Sequence, residues 1–410
     1  MAPLTLTGWT AGPAADESRW LRVEQQSAAA GARREITALA ERLGFAGERL
    51  GQVQLAVTEA ATNLAKYAER GEMAVRIVRE DGTAALEFVC LDHGPGIADV
   101  SRSRLRGYSS SGTLGLGLGA IQRLADHSAL HSLPGVGTTL YARFRPPGSS
   151  TAAPGAPPPA PATPSAAPET SSTSPGTSSS APETPSAAPE ASSPRPGASS
   201  AEPREASGTP PAARTGSAFA GLSRPIDGET ECGDAYAAVL VDGIVYAMLC
   251  DGLGHGPLAA RAADEAVHAL RETAFPTSPA QILERIHRRM RPTRGGAVAV
   301  AAIDRDAGRV RFSGLGNVSA WIVHPERRTG MISVPGIAGT HARVREQEYD
   351  LPPDAAVVLH SDGLTDRWSP ADRPGLPGLD PLLIAATLLR DAGVRHDDRS
   401  VLAVTASEGR

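Results

Sequence analysis

The chain has 410 residues, a net charge of −5, 43 glycines and 35 prolines, with aromatics at 4% and apolar residues at 41%. It is too long for one ordinary domain and too poor in large side chains for all of it to be core. The charge divides as +1 over residues 1–146, −2 over 147–214 and −4 over 215–410, which excludes the basic surface of a direct nucleic-acid binder.

Residue types exclude more. Cys90, Cys232 and Cys250 form no paired motif, residues 1–22 hold no basic stretch followed by an apolar one, and no run of about 18 apolar residues occurs. A cytoplasmic setting without membrane contact is expected. Lys66 is the sole lysine, so the Gly-Lys-Ser/Thr of a P-loop is ruled out.

In chain order, Trp20 to Val23 reads as a short strand, and Ser27 is placed to cap an alanine-rich helix that runs through Leu43 and stops at Gly44. A second helix is predicted from Gly47 to Ala68. On it Glu59, Asn63 and Tyr67 recur every four residues and share a face. An amide oxygen can ligate a hard cation while a carboxylate one turn away accepts a proton, although the pair equally suits an ordinary polar helix face. Strands at 73–78 and 84–91 flank an Asp81-Gly82 turn. The second runs into Asp92-His93-Gly94-Pro95-Gly96-Ile97, an acceptor carboxylate beside glycines that admit a ligand closely. Gly107 to Gly119 then leads into a helix at Ala120 to Asp126, a pattern that turns backbone N–H groups toward phosphates. Gly135-Val136-Gly137-Thr138-Thr139 opens a last strand, 140–144.

These four motifs, in this order across 20–145, resemble the GHKL (Bergerat-fold) ATPases, and within them the small anti-sigma-factor and RsbT-like switch kinases. The resemblance implies an α/β sandwich with ATP and Mg2+ under a mobile lid. Asp92 would receive the adenine amino group, Asn63 would hold Mg2+, and Glu59 would be the catalytic base that activates a partner's serine. Gly94 and Gly96 would border the nucleotide, Gly115, Gly117 and Gly119 would wrap its phosphates, and Thr138 would lie near the adenine. His93 and Thr113 depart from the family, which often has an acidic or amide residue and a glycine there. Histidine kinases share this fold, but the first histidine here is His93, so autophosphorylation on an N-terminal histidine is not expected.

From Pro147 to Arg214 there is no Val, Ile, Leu, Met, Phe, Tyr, Trp or Cys. Such a segment cannot offset chain entropy by burial, so 147–214 is expected to be a disordered linker between an N-terminal block, 1–146, and a C-terminal block, 215–410. As a coil it would span roughly 45 Å, enough to let both blocks reach one partner.

The C-terminal block opens with Cys232-Gly233-Asp234, a strand to Val241, the turn Asp242-Gly243, a strand at 244–250, and Asp251-Gly252-Leu253-Gly254-His255-Gly256 before a helix from Pro257 to Thr273. Strands are predicted around 297–303, 309–313, 318–323 and 357–360, then Ser361-Asp362-Gly363, a helix near 380–391, Asp397-Asp398, and a strand at 400–405. Asp234, Asp251, Asp362 and Asp397 each abut an apolar strand, and buried carboxylates must be paired or hold a metal. Oxygen donors without Cys or paired His favour Mg2+ or Mn2+ over zinc; the competing reading of Asp-Gly is hairpin chemistry.

This order, with Gly314-Leu315-Gly316-Asn317, resembles the SpoIIE-like branch of the PPM serine/threonine phosphatases, in its compact RsbX-like form. It implies an αββα sandwich with two Mn2+ or Mg2+ at its rim, held by Asp234, Asp251, the Gly252 carbonyl, Asp362 and Asp397. Arg224 and Arg294 are candidates for gripping the substrate phosphate, and His255 is read as ordering its loop. Together the two resemblances imply a partner-switching regulator in which a serine kinase and a phosphoserine phosphatase act on a STAS-type, anti-anti-sigma or stressosome protein, with a sigma factor or downstream phosphatase as a further partner. The alternative is a phosphatase whose ATP-binding domain is a non-catalytic regulatory module.

Overall fold

The computed structural model describes residues 9–11, 18–80, 83–100, 117–147, 218–394 and 396–406. The Asp81-Gly82 turn, Gly115 and the linker from 148 onward lie outside these. The first strand, β1 (Trp9–Ala11), is followed by a five-stranded antiparallel sheet of β2 (Ser18–Arg22), β3 (Glu72–Glu80), β4 (Thr83–Asp92), β5 (His127–Leu133) and β6 (Gly137–Phe144) in the order β2-β3-β4-β6-β5. Successive strand residues point to opposite faces. Met73, Val75, Leu86, Phe88 and Cys90 therefore pack with helices α1 (Gln26–Arg42), α2 (Gly47–Tyr67) and α3 (Gly117–Leu124) in one core, while Ala74, Val89 and Leu91 turn to the other face.

Three local expectations shift. Ser27 lies inside α1, whose N-cap is Gln25 without a side-chain cap bond. The helix α3 begins at Gly117 rather than Ala120, so Gly117 and Gly119 sit in its first turn. The strand β5 carries histidines and serines in place of a clear apolar alternation, and its pairing with β6 comes from tertiary context.

The C-terminal half stacks two sheets. One is made of β1 with β8 (Asp234–Val241), β9 (Ile244–Gly252), β10 (Gly296–Asp304), β11 (Arg309–Leu315), β14 (Ser333–Val334) and β15 (Gln347–Asp350), in the order β1-β8-β9-β10-β11-β14 with β15 also on β11. The other is β13-β12-β16-β17-β7, made of β7 (Phe219–Arg224), β12 (Ser319–Val323), β13 (Arg328–Met331), β16 (Ala356–His360) and β17 (Arg399–Thr405). Tyr236, Leu249, Phe312, Val357 and Leu402 fill the space between the sheets. Helices α4 (Pro257–Arg271) and α5 (Pro279–Arg289) cover the first sheet, and α6 (Pro381–Ala392) covers the second, which completes the αββα order.

The two halves share a core. Ala74, Val89, Leu91 and Tyr141 of the first sheet join the α6 residues in one apolar cluster, so α6 is buried on every side. Beside it, fully buried Glu87 is held by Arg76 at 2.6 Å and Arg143 at 2.6 Å, and Arg76 Nη1 donates to the Gly221 carbonyl at 2.7 Å and to Tyr236 Oη at 3.0 Å. The N-terminal strand β1 pairs with β8, Thr10 opposite Ala238, and thus extends the C-terminal sheet. Among the described residues no helix is long and apolar enough to cross a membrane.

Candidate active sites

The helix α2 buries Val53, Ala56, Val57, Ala60, Ala61 and Leu64 at helical spacing, which leaves Leu55, Glu59, Asn63 and Tyr67 along the opposite stripe. Glu59 and Asn63 are half-buried one turn apart, between the exposed Leu55 and Tyr67. Asp92 ends β4 directly opposite Thr138 of β6. Its Oδ1 accepts from the amides of Gly94 at 2.8 Å and Thr138 at 3.3 Å. Burial pushes the Asp92 carboxyl up, against these two amides and the Arg390 charge.

The glycines that follow are dictated by close approach. A Cβ at Gly94 would stand 2.5 Å from the Tyr67 carbonyl oxygen, so the Asp92 turn seats directly on the end of α2. Gly96 has φ +68° and no room beside Leu133. Ser132, on the unanticipated β5, ties the loop together: its Oγ accepts from the Ile97 amide at 2.8 Å and lies 3.0 Å from Thr138 Oγ1. Gly117 and Gly119 open α3; the structure thus brings Asp92, Gly94, Gly96 and Thr138 into one bonded cluster and sets Glu59 and Asn63 together on α2.

In the C-terminal half, β8 and β9 pair so that Asp234 lies opposite Asp251, a cross-strand contact that two like charges make unfavourable. Ser361 hydrogen-bonds to the Asp234 carboxyl, and its Oγ accepts from the Ser400 amide at 3.0 Å. Asp251 and Asp362 share a hydrogen bond, and Asn317 Nδ2 donates to Asp362 Oδ2 at 2.5 Å. Burial, then the charges of Asp362 and Asp397, push Asp251 up to about 8. Asp234 is 5% exposed and its Oδ2 has no hydrogen-bond partner.

Among the described residues no three of these groups stand in finished cation-holding geometry. The donor set nonetheless fits divalent cations, because an orphaned buried carboxylate oxygen and crowded like charges are the defects that a bound cation removes. The neighbouring residues divide their roles. Asp398 is a loop clamp, accepting from Ile226 N at 2.7 Å and Gly233 N at 2.9 Å. His255 Nδ1 lies 3.1 Å from Glu229 Oε1. Arg224 is buried between Glu72 and Asp227 over the Trp20 ring, which removes it as a phosphate ligand, whereas Arg294 is exposed with Nη1 against Gly254. Sequence reasoning missed Ser132, the partner of Asp234 in Ser361, and the hold of Asn317 on Asp362.

Residues 22–144 match the histidine kinase-like ATPase domain family, and residues 242–407 match the Stage II sporulation protein E family. Over 104 residues the chain is 36% identical to the serine/threonine-protein kinase RsbT of Bacillus subtilis (strain 168), a stretch that covers 25% of this chain and 78% of that protein. Similar solved structures include a bacterial stressosome component (27% identity, TM-score 0.42, 45% of this chain and 97% of that one). RsbX in complex with magnesium is 19% identical with TM-score 0.40 over 45% and 92% of the two chains. The RsbU and RsbW domains of a Mycobacterium tuberculosis protein are 18% identical with TM-score 0.40 over 47% and 60%.

Proposed function

We propose, for a chain that belongs to the RsbT-type serine/threonine kinases through its histidine kinase-like ATPase domain and carries a SpoIIE-type PPM phosphatase domain after it, that both activities act on one serine of a STAS-type partner. What supports this reading is that one body carries both the Glu59–Asn63 helix face with the Asp92 turn and the four-aspartate cluster. In the first, Asp92 would accept from the adenine amino group, the amides of Gly117 and Gly119 would bind the phosphates, and Asn63 would hold Mg2+ through its amide oxygen. Glu59 takes the proton from the partner's serine hydroxyl, while position and charge do the rest.

In the second, Asp234, Asp251, the Gly252 carbonyl, Asp362 and Asp397 would hold two Mn2+ or Mg2+. Such ions, when bound, polarise the phosphoryl group and lower the pKa of water. Ser361 and Asn317 keep Asp234 and Asp362 in place, and Arg294 is the side chain available to the phosphate dianion. Incubating the full chain with ATP, Mg2+ and its STAS partner, followed by phosphosite mapping, tests the reading. Glu59→Ala should leave the partner unphosphorylated and Asp251→Ala should leave it fully phosphorylated; no change with either variant overturns it.

A second reading has a specific observation behind it: the ATPase domain gates the phosphatase without phosphorylating anything. The helix α6 touches the Asp92 turn at Arg390, and the segment that follows it bonds to the metal-loop backbone, Val394 N to Gly363 O and Thr365 N to Ala392 O, both at 2.8 Å. Partner phosphorylation lost on Glu59→Ala with ATP binding intact decides for the kinase.

A further inference from the structure

We propose that Arg390 and His93 are positioning residues for the nucleotide, so that the phosphatase helix α6 forms the back wall of the adenine pocket and the kinase site is complete only with the second domain docked on it. The proposal rests on the reading of Asp92 as the adenine acceptor. Asp92 turns its carboxylate inward onto the Gly94 and Thr138 amides and its carbonyl outward, where Arg390 Nη1 lies at 3.4 Å. The next side chain continues the contact: His93 Nε2 donates to the Arg390 carbonyl at 3.1 Å. One strand away, Thr139, the neighbour of Thr138, lies 3.2 Å from Thr387. The helix therefore holds both residues that follow the two ends of the Asp92 hydrogen-bond set.

The Arg390 guanidinium is itself fixed. Its Nε donates to Asp391 Oδ1 at 2.5 Å, and Asp391 Oδ2 accepts from Arg373 Nε at 2.9 Å. Its charge is among those that oppose the effect of burial on the Asp92 carboxyl, which burial still pushes up. The Arg390 carbonyl is one of the helix-end oxygens without an intrahelical partner, and the His93 ring supplies its donor.

Binding of a fluorescent ATP analogue to the full chain, with Mg2+, tests this. His93→Ala and Arg390→Ala should each weaken binding about tenfold, and Arg390→Lys should recover most of the loss, the size expected for one hydrogen bond to a charged group. Tyr141→Phe removes the tie to Asp380 at the far end of α6, 2.8 Å in length, and should leave binding within about twofold of the parent. Hydrolysis of p-nitrophenyl phosphate with Mn2+, measured for each variant, reports whether the phosphatase fold is intact, and Tyr141→Phe should leave it unchanged. If Arg390→Ala fails to fold, His93→Ala on its half-buried loop still decides. ATP binding unaffected by His93→Ala and Arg390→Ala overturns the proposal, as does equal weakening by Tyr141→Phe, which would indicate docking in general. Asp92→Asn separates the premise: if it too leaves binding intact, the adenine reading falls; if it alone weakens binding, only this inference falls.

Discussion

Single side chains carry most of what the two sites need. Asn317 reaches the aspartate cluster through Asp362, so if that cluster holds the proposed ions Asn317→Ala should lower phosphatase turnover about tenfold while excess Mn2+ recovers part of it, as found when supporting partners of metal ligands are lost. A titration of activity against Mn2+ checks this. Glu87 shows the cost of buried charge. Burial pushes its carboxyl up, but Arg143 and Arg76 outweigh burial and hold it below the ordinary glutamate range. Its folded-state value is depressed, so the stability it contributes is present above that range and is lost as pH falls through the lowered value. Glu87→Ala strands two arginines and should cost about 3–5 kcal/mol, read by urea unfolding at neutral pH. The strand-end aspartates stood out in sequence because a carboxylate at the end of an apolar strand calls for a partner. Ser132, Ser361 and Asn317 were not, because a serine or asparagine becomes a positioning group only when folding brings its partner from a distant strand.

At the scale of elements, periodicity exposed those with one buried face and concealed those with two. The second helix shows its buried stripe and its opposite polar stripe in sequence, and its bounds came within a residue. The helix α5 was not among the predicted elements, although Ser278-Pro279-Ala280-Gln281 forms a capping box, with Gln281 N donating to Ser278 Oγ at 3.3 Å and Ser278 N to Gln281 Oε1 at 3.2 Å. The most informative signal is the run Pro381-Leu382-Leu383-Ile384-Ala385-Ala386-Thr387-Leu388-Leu389. Apolar all round, it required cover on both sides, and the N-terminal sheet supplies the second cover. Val89→Asp, on the outer face of β4, should therefore disturb docking rather than the helical core of its own domain. Calorimetry should show one unfolding transition for the parent and two for the variant, since an unpaired carboxylate in that cluster costs several kcal/mol.

For the whole molecule, the arithmetic of a coil treated the two blocks as independent and tethered. The shared core, the Arg76–Glu87–Arg143 cluster and the β1 strand instead hold them as one body. The composition had pointed only to a part of the chain that cannot be core, and a domain of this size gains by lending its open sheet face to a neighbour. Opposed activities on such a body are expected to produce a cycle in which ATP is consumed while the partner stays largely unphosphorylated. The most direct measurement is a single time course of ATP consumed and phosphoserine present, with the full chain, Mg2+, Mn2+ and the STAS partner. The account predicts continuing ATP consumption with little phosphoserine for the parent, one phosphate per partner and then no further consumption for Asp251→Ala, and neither for the Glu59→Ala, Asp251→Ala double variant. ATP consumption that continues unchanged in Asp251→Ala, with no phosphoserine formed, would contradict it.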